Sequence, residues 1–295
     1  MSDSLEILRR QLGSTKDLKS VVRAMKAISA AGLSQYEKSV LSLRDYYRTV
    51  RLGLRACLGE TALALRGPST SVKASTLIVV FGSDQGLVGQ FNELLADYVR
   101  ASISSAEPPL VWAVGERMAQ CLEDRGFVVD RRFVLPGSIE TVTFLIVDLL
   151  NAFQEMEKRA GSPELIVYRH SPRHASTCEL AKERVLPFDE QWMAGIRQLK
   201  WPTPLLPETI GAPPKVFDAL VREYVFVCLF QGCVESLASE NASRLIAMQR
   251  AEENIDHLSD ELTSRFHQLR QSSIDEELFD VVSGFEALDG RRKGR

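Results

Sequence analysis

The segment Phe81-Gly82-Ser83-Asp84-Gln85-Gly86-Leu87-Val88-Gly89 places a glycine-rich turn directly after an apolar run, which is where nucleotide phosphates sit in doubly wound folds. Phosphate binding of that kind needs a G-x-G-x-x-G spacing or a lysine followed by a hydroxyl, and neither is present. Ser83 beside Asp84 offers a hydroxyl and a carboxylate, but there is no histidine nearby in sequence and no G-x-S-x-G elbow to expose a nucleophile. His170 and His174 have the four-residue spacing of a helical metal pair, yet Pro172 lies between them and breaks such a helix, so they read as a solvated loop. His257 and His267 fall among charged residues and read as surface positions. The five cysteines, at 57, 121, 178, 228 and 233, form no C-x-x-C pair and suggest neither a zinc ribbon nor a disulfide framework. They read as reduced packing residues. No catalytic, cofactor-binding or metal-binding constellation stands out.

The composition is that of a soluble globular protein, with 45% hydrophobic and 25% charged residues over 295 positions. A formal charge of −3 gives no global electrostatic reason to expect nucleic acid. The opening Ser2-Asp3-Ser4 lacks the basic start and apolar core of an export signal, and nothing there resembles a transit peptide. The longest apolar run, Val225 to Phe230, is far short of the ~20 residues that cross a bilayer, so no direct bilayer insertion is expected. Any membrane association must come through a partner.

What would position these residues is set by proline. All twelve prolines lie between Pro68 and Pro214, leaving helix formers uninterrupted at both ends. At ~1.5 Å per residue, helices over 3–58 and 215–284 would reach roughly 80 and 100 Å. On the first, Leu5, Leu8, Leu12, Thr15, Lys19, Val22, Met25, Ser29, Gly32, Tyr36, Val40, Leu43, Tyr47, Val50, Leu54 and Cys57 alternate steps of three and four, a coiled-coil seam with one polar lapse at Lys19. On the second, Phe217, Leu220, Val221, Tyr224 and Cys228 form a wide apolar face suited to packing on a domain. Leu245, Met248, Ile255, Leu258, Leu262, Phe266 and Leu269 form a narrow one suited to a single partner helix. The simplest arrangement pairs the two helices antiparallel. Pairing that starts at the domain leaves the longer C-terminal helix projecting alone, which a monomer avoids because one helix in water cannot bury its seam.

Between them the pattern changes to alternating strands and helices. Strands are expected at 77–81, 110–114, 127–129 and 165–168, and helices at 87–104, 116–125 and 138–160, the last two closed by Gly126 and Gly161. Such βα units predict a small, parallel-rich sheet covered by helices. Prolines 202, 204, 207, 213 and 214 mark residues 188–214 as an extended connection. The expected fold class is therefore α/β: a long antiparallel coiled coil of the N- and C-terminal helices, with an inserted small Rossmann-like α/β domain. The divisions fall at 1–66 (first helix), 67–187 (α/β domain), 188–214 (connection) and 215–295 (second helix and basic tail).

Several strings resemble the gamma subunit of F-type ATP synthases, the central rotor shaft. Ser14-Thr15-Lys16 followed by Val22-Arg23-Ala24-Met25-Lys26 is similar to that family's first helix, and Ser83-Asp84-Gln85-Gly86-Leu87-Val88-Gly89-Gln90-Phe91-Asn92 to its Ser-Asp-Arg-Gly-Leu-Cys-Gly-x-x-Asn loop. The C-terminal helix matches most specifically, through Glu235-Ser236-Leu237-Ala238-Ser239-Glu240-Asn241-Ala242-Ser243-Arg244, Ala247-Met248, Asn254, Arg270-Gln271-Ser272-Ser273-Ile274 and Glu277-Leu278. The resemblance implies a non-catalytic subunit, one copy per complex. Its coiled coil would lie inside a ring of three alpha and three beta subunits, and its α/β domain beside the epsilon subunit and the membrane rotor c-ring. It implies beta-subunit contacts at Arg270 and Gln271, with Arg23, Met25 and Lys26 on the facing helix. It also points the loop Ser83, Asp84, Gln85, Gly86 toward the epsilon subunit or rotor ring. Without a transit peptide, the implied location is peripheral, on the cytoplasmic face of a bacterial inner membrane.

Some positions depart from the family pattern. Gln85 and Val88 stand for its Arg and Cys, Gly32 for a common lysine, and Asp275 for a common threonine. The tail Arg291-Arg292-Lys293-Gly294-Arg295 runs past the usual end near Leu288 and reads as disordered by default, or as touching the mouth of the ring. These departures suggest a divergent member, from a second copy of the complex. Two other classes fit the bare pattern: an α/β enzyme with a helical dimerisation arm, which would bind nucleotide or substrate alone, and a coiled-coil scaffold, which would form a stable homodimer.

Overall fold

The computed structural model describes residues 2–61, 75–103, 108–161, 163–172, 178–205, 207 and 210–293. His174 lies outside them, as do residues 294 and 295. The chain divides into two compact units, Ser29–Arg244 and Met1–Ile28 with Leu245–Arg295. Two helices run through both: α1 (Ser2–Thr61) and α6 (Pro213–Lys293). Pro213 and Pro214 open α6, where the missing backbone donors would be unpaired in any case.

Unit Ser29–Arg244 is built on a five-stranded sheet. Strands β1 (Thr76–Phe81), β2 (Leu110–Val114), β3 (Val129–Phe133), β4 (Glu164–Pro172) and β5 (Cys178–Leu186) lie in the order β3-β2-β1-β4-β5. All neighbours are parallel except β4 and β5. Central β1 alternates its side chains between two cores, as the pleat requires. Ile78 and Val80 face α2 (Phe91–Ser102) and α3 (Glu116–Glu123), meeting Leu95, Val99, Met118 and Leu122. Leu77, Val79 and Phe81 face α4 (Ile139–Ala160) and the long helices, meeting Ile146, Leu149, Leu54 and Val234. Burial on both faces is why β1 reads as an unbroken apolar run.

Several expectations change. His170, read as a solvated-loop position, is instead buried within β4, because the strand runs on to Pro172 and the His170 ring stacks on Phe91. The helix placed at 87–104 begins only at Phe91, because Leu87 (φ 64°) and Gly89 (φ 65°) are left-handed. The third strand is Val129–Phe133 rather than 127–129. Strand β5 was not foreseen; it is a charged edge strand whose burial does not alternate cleanly. The 188–214 segment is not wholly extended: α5 (Glu190–Gln198) forms there, capped by Asp189 accepting from the Trp192 amide. Trp192 stacks on Phe188 at 3.8 Å and donates Nε1–H to Tyr224 Oη at 2.9 Å, which fixes α5 to α6.

In the other unit, α1 and α6 run antiparallel, with Lys19 paired to Asp256, and Arg23 and Lys26 both paired to Glu252. Val22, Met248 and Ile255 form its buried apolar cluster. The lapse at Lys19 is thereby matched by a carboxylate across the seam. Leu258, expected on the seam, is instead exposed. From this register α1 reaches only to about residue 272 of α6, so the helix beyond has no α1 residue opposite it. The backbone stays helical to Lys293, so Arg291, Arg292 and Lys293 are not a disordered tail.

Candidate functional site

The residues of interest fall into three groups, two in the helical unit and one in the sheet unit. Arg23 Nε and Lys26 Nζ lie 2.7 and 2.6 Å from the two carboxylate oxygens of Glu252. Hydrogen bonds from Lys26 and then Arg23 hold the Glu252 carboxyl down to about 2, so it stays ionised across the ordinary pH range. Met25, between the two cations, is half-buried against Val22, Met248 and Ile255. This patch is a polarisable side chain in the seam, flanked by two cations that Glu252 holds in place. Arg23 keeps much of its guanidinium in solvent, where it can still receive a carboxylate from outside.

Arg270 and Gln271 are both exposed on α6. They lie some 27 Å along the helix from Glu252, so the patch and this pair are separate places rather than one cluster. Beyond them Ile274, Leu278, Phe279, Val281 and Val282 are exposed, Leu278 at 61% and Phe279 at 70%. A run of exposed apolar side chains with no helix opposite is a surface made for contact.

The loop Ser83–Gly86 divides into a framework and a tip. Ser83 is fully buried: its amide donates to Asn92 Oδ1 at 2.9 Å, its hydroxyl donates to the Gln85 carbonyl at 2.8 Å, and Asn92 Nδ2 donates to that hydroxyl at 2.7 Å. Asp84 accepts from the Glu116 amide at 2.9 Å, at the first turn of α3, and from the Leu135 amide at 3.0 Å. The neighbouring glycines permit this closeness. A Cβ on Gly82 would lie 2.3 Å from Met118, and one on Gly115 (φ 107°) 2.6 Å from the Ser83 carbonyl. With its donors and acceptors so used, the Ser83–Asp84 pair is occupied in holding the turn, and Gln85, Gly86 and Leu87 form the exposed tip.

The stretch from Gly232 to Glu240, whose residues from Glu235 on open the string Glu235–Arg244 that carried the resemblance, is buried throughout. Ser236 donates to the Phe81 carbonyl at 2.9 Å, and Glu235 accepts from Arg169 Nε and Ser171 Oγ, each at 2.9 Å. Its residue types are set by close contact with the end of β1 and with β4. Glu252 was missed from sequence; the available signal was an acid flanking the Met248/Ile255 seam, opposite the basic pair Arg23 and Lys26. The apolar residues from Ile274 onward were also missed as a continuing stripe, although 274, 278 and 281 keep the seam's steps of four and three.

A family model described as ATP synthase matches residues 4–288. Similar proteins include an ATP synthase gamma chain from Salinibacter ruber, 27% identical over 97% of this chain and 98% of that one. Another, from Bdellovibrio bacteriovorus, is 27% identical over 97% and 99%. Among solved structures, a chain of the Euglena gracilis mitochondrial ATP synthase assembly of OSCP, F1 and c-ring shares the fold with a TM-score of 0.66, at 16% identity over 99% of this chain and 97% of that one. A chain of the rotor of the same enzyme aligns with a TM-score of 0.61 at 15% identity, covering 93% and 100%. With the family match spanning nearly the whole sequence and the relatives sharing one name, the chain belongs to the ATP synthase gamma-chain family.

Proposed function

We propose that the chain is the central-stalk rotor subunit of an F-type ATP synthase, coupling ion translocation through the membrane rotor ring to ATP synthesis or hydrolysis at beta-subunit sites. The observation that carries this reading, beyond family membership, is the exposed apolar stretch of α6 past the start of α1. That surface asks for a surrounding wall, and a ring of three alpha and three beta subunits supplies one. In this reading residues 1–66 and 215–295 form the shaft. Residues 67–187, with the connection 188–214, form the foot beside the epsilon subunit and the c-ring.

The mechanism follows from symmetry and linkage. Three chemically identical beta-subunit sites differ only if something asymmetric touches them, and a two-helix shaft turning in the ring presents a different face to each in turn. The shaft's contact free energy must differ between open and closed beta subunits. Torque from ion flow then reverses the order of nucleotide binding and release. The chain itself supplies no catalytic group; ATP chemistry belongs to the beta subunits. Arg270 and Gln271 serve as polar contacts to a beta-subunit loop. Arg23, Met25 and Lys26 form a second contact whose cations are held in position by Glu252. At the foot, Gln85, Gly86 and Leu87 meet the epsilon subunit or rotor ring, shaped from beneath by Ser83 and Asp84.

No helix of the described residues is long and apolar enough to cross a membrane. The subunit sits peripherally on the cytoplasmic face of the bacterial inner membrane, held by its partners. Affinity purification of the full chain from cells tests the reading: alpha- and beta-type subunits should co-purify at three of each per chain, and their absence would defeat it. Within that complex, Arg270→Ala with Gln271→Ala should lower coupled ATPase turnover, and unchanged turnover would remove those residues from the contact.

A further inference from the structure

Four arginines stand in a line along one edge of α1. Arg44, Arg48, Arg51 and Arg55 follow at steps of four, three and four, which at ~100° per residue puts them within an arc of about 60°. That arc lies about 90° around the helix from the seam residues Val40, Leu43, Tyr47 and Leu54, at the edge of the packed face. Arg44 and Arg48 are exposed, and Arg51 and Arg55 are half-buried. Among the described residues none of the four makes an ion pair, whereas Arg125, Arg132, Arg169 and Arg244 all do. Arg51 Nε and Arg55 Nη1 are shielded from solvent with no hydrogen-bond acceptor, and Arg51 has only the face of Tyr47 beneath it, 5.5 Å from its guanidinium carbon. A guanidinium does not lose its proton, so these positions hold permanent charges with donors unmet. A chain with a formal charge of −3 has carboxylates to spare, yet among the described residues none is paired with these four.

We infer that this arginine stripe is a docking line for an acidic helix of another subunit of the assembly, carrying carboxylates at the same four-three-four spacing. This rests on the reading that the chain works within a multisubunit complex. The stripe is one side chain wide and about 16 Å long, which matches a rod laid alongside rather than a broad surface. Glu37 lies in line with it two turns earlier, and Asp45 is exposed on its outer flank. They bound the positive line to a short, narrow run, which suits one helix laid along it better than the broad positive surface that a lipid bilayer or a nucleic-acid backbone would call for. Planar guanidinium forks at helical spacing take carboxylates two oxygens at a time, and the half-buried pair gains most because water is already excluded there.

The test uses the purified complex with the full chain. Arg44→Glu with Arg48→Glu changes only exposed positions, so the melting profile should be unaltered, while dissociation of the docked subunit at ordinary salt should rise about tenfold. Arg48→Lys keeps the charge and provides an amine for zero-length carbodiimide coupling. The expected product is a cross-link from position 48 to an aspartate or glutamate in a helical segment of another subunit. Unchanged subunit retention with no such cross-link overturns the inference while leaving the rotor reading intact, provided alpha- and beta-type subunits are still held. Their loss from the native chain defeats the rotor reading and the docking line together. Binding of the native chain, but not the double variant, to phosphatidylglycerol vesicles would reassign the stripe to lipid and overturn it.

Discussion

Two stretches of the same helix obey different rules. From Gly232 to Glu240 every residue of α6 is buried, polar ones included, while from Ile274 to Val282 apolar residues stand exposed. In the first stretch the small side chains of Gly232, Ser236, Ala238 and Ser239 let the helix lie close to the sheet. The side chains of Glu235 and Ser236 find partners within the chain, in Arg169, Ser171 and the Phe81 carbonyl, while Ser239 Oγ is buried without one among the described residues. The second stretch has no described residue of α1 opposite it, because α1 has ended before it. Residue types can therefore answer to an internal constraint in one part of a helix and to an external one in another.

Substitutions can break that contrast. Glu235→Ala should cost roughly 3 to 5 kcal/mol by denaturant titration, because it takes a carboxylate from the buried Arg169 and leaves it only Glu183. Leu278→Ala with Phe279→Ala should change stability by less than about 0.5 kcal/mol, yet weaken retention in the complex. Equal losses of stability from both would erase the distinction. Next comes His170, stacked on Phe91 with Nε2 2.9 Å from the Phe91 carbonyl oxygen. Burial pushes its pKa down to about 4, the carbonyl opposing. Protonation near 6.5 in the unfolded chain but not the folded one means stability present above that pH is lost as pH falls toward about 4, on the order of 2 to 3 kcal/mol. His170→Gln should flatten that part of the stability profile of the sheet unit; an unchanged slope would reject the assignment.

Smaller effects are expected in the helical unit. Arg270→Ala with Gln271→Ala should leave the melting temperature within experimental error while reducing coupled turnover, since both side chains are exposed. Glu252→Gln should speed amide exchange around Val22 and Met248 modestly. The Glu252 contribution is present above its ordinary pH of 4.5 and is lost as pH falls through about 2, so native chain and variant should converge only in strong acid. Convergence already at pH 5 would contradict the pairing with Lys26 and Arg23.

Much of the fold was legible because it depends on patterns that sequence carries directly. Every residue assigned to the α1 seam proved buried or half-buried, since a seam is a spacing. Strand β2 was read at its true bounds because burial on both faces makes it wholly apolar. The failures have physical causes. Strand β5 is an edge, where charge is tolerated on both faces and alternation fades. Helix α5 was obscured by the five prolines that follow it, and the late start of α2 depended on left-handed angles at Leu87 and Gly89. In the candidate site, Arg23 and Lys26 were visible as charges, but their fixation by Glu252 required knowing the register across two distant helices. The division of the Ser83–Gly86 loop into buried framework and exposed tip was hidden, because it rests on Asn92, Glu116 and Leu135, each brought in by the fold.

The most direct test of the shaft reading is hydrogen–deuterium exchange over residues 270–283, measured on the chain alone and on the chain within the purified complex. A surrounding ring predicts fast exchange in the isolated chain and exchange slowed at least tenfold in the complex across Ile274 to Val282, because the wall suppresses fraying of an otherwise unsupported helix. Equal exchange in the two states would show that nothing encloses this end of α6 and would contradict the account.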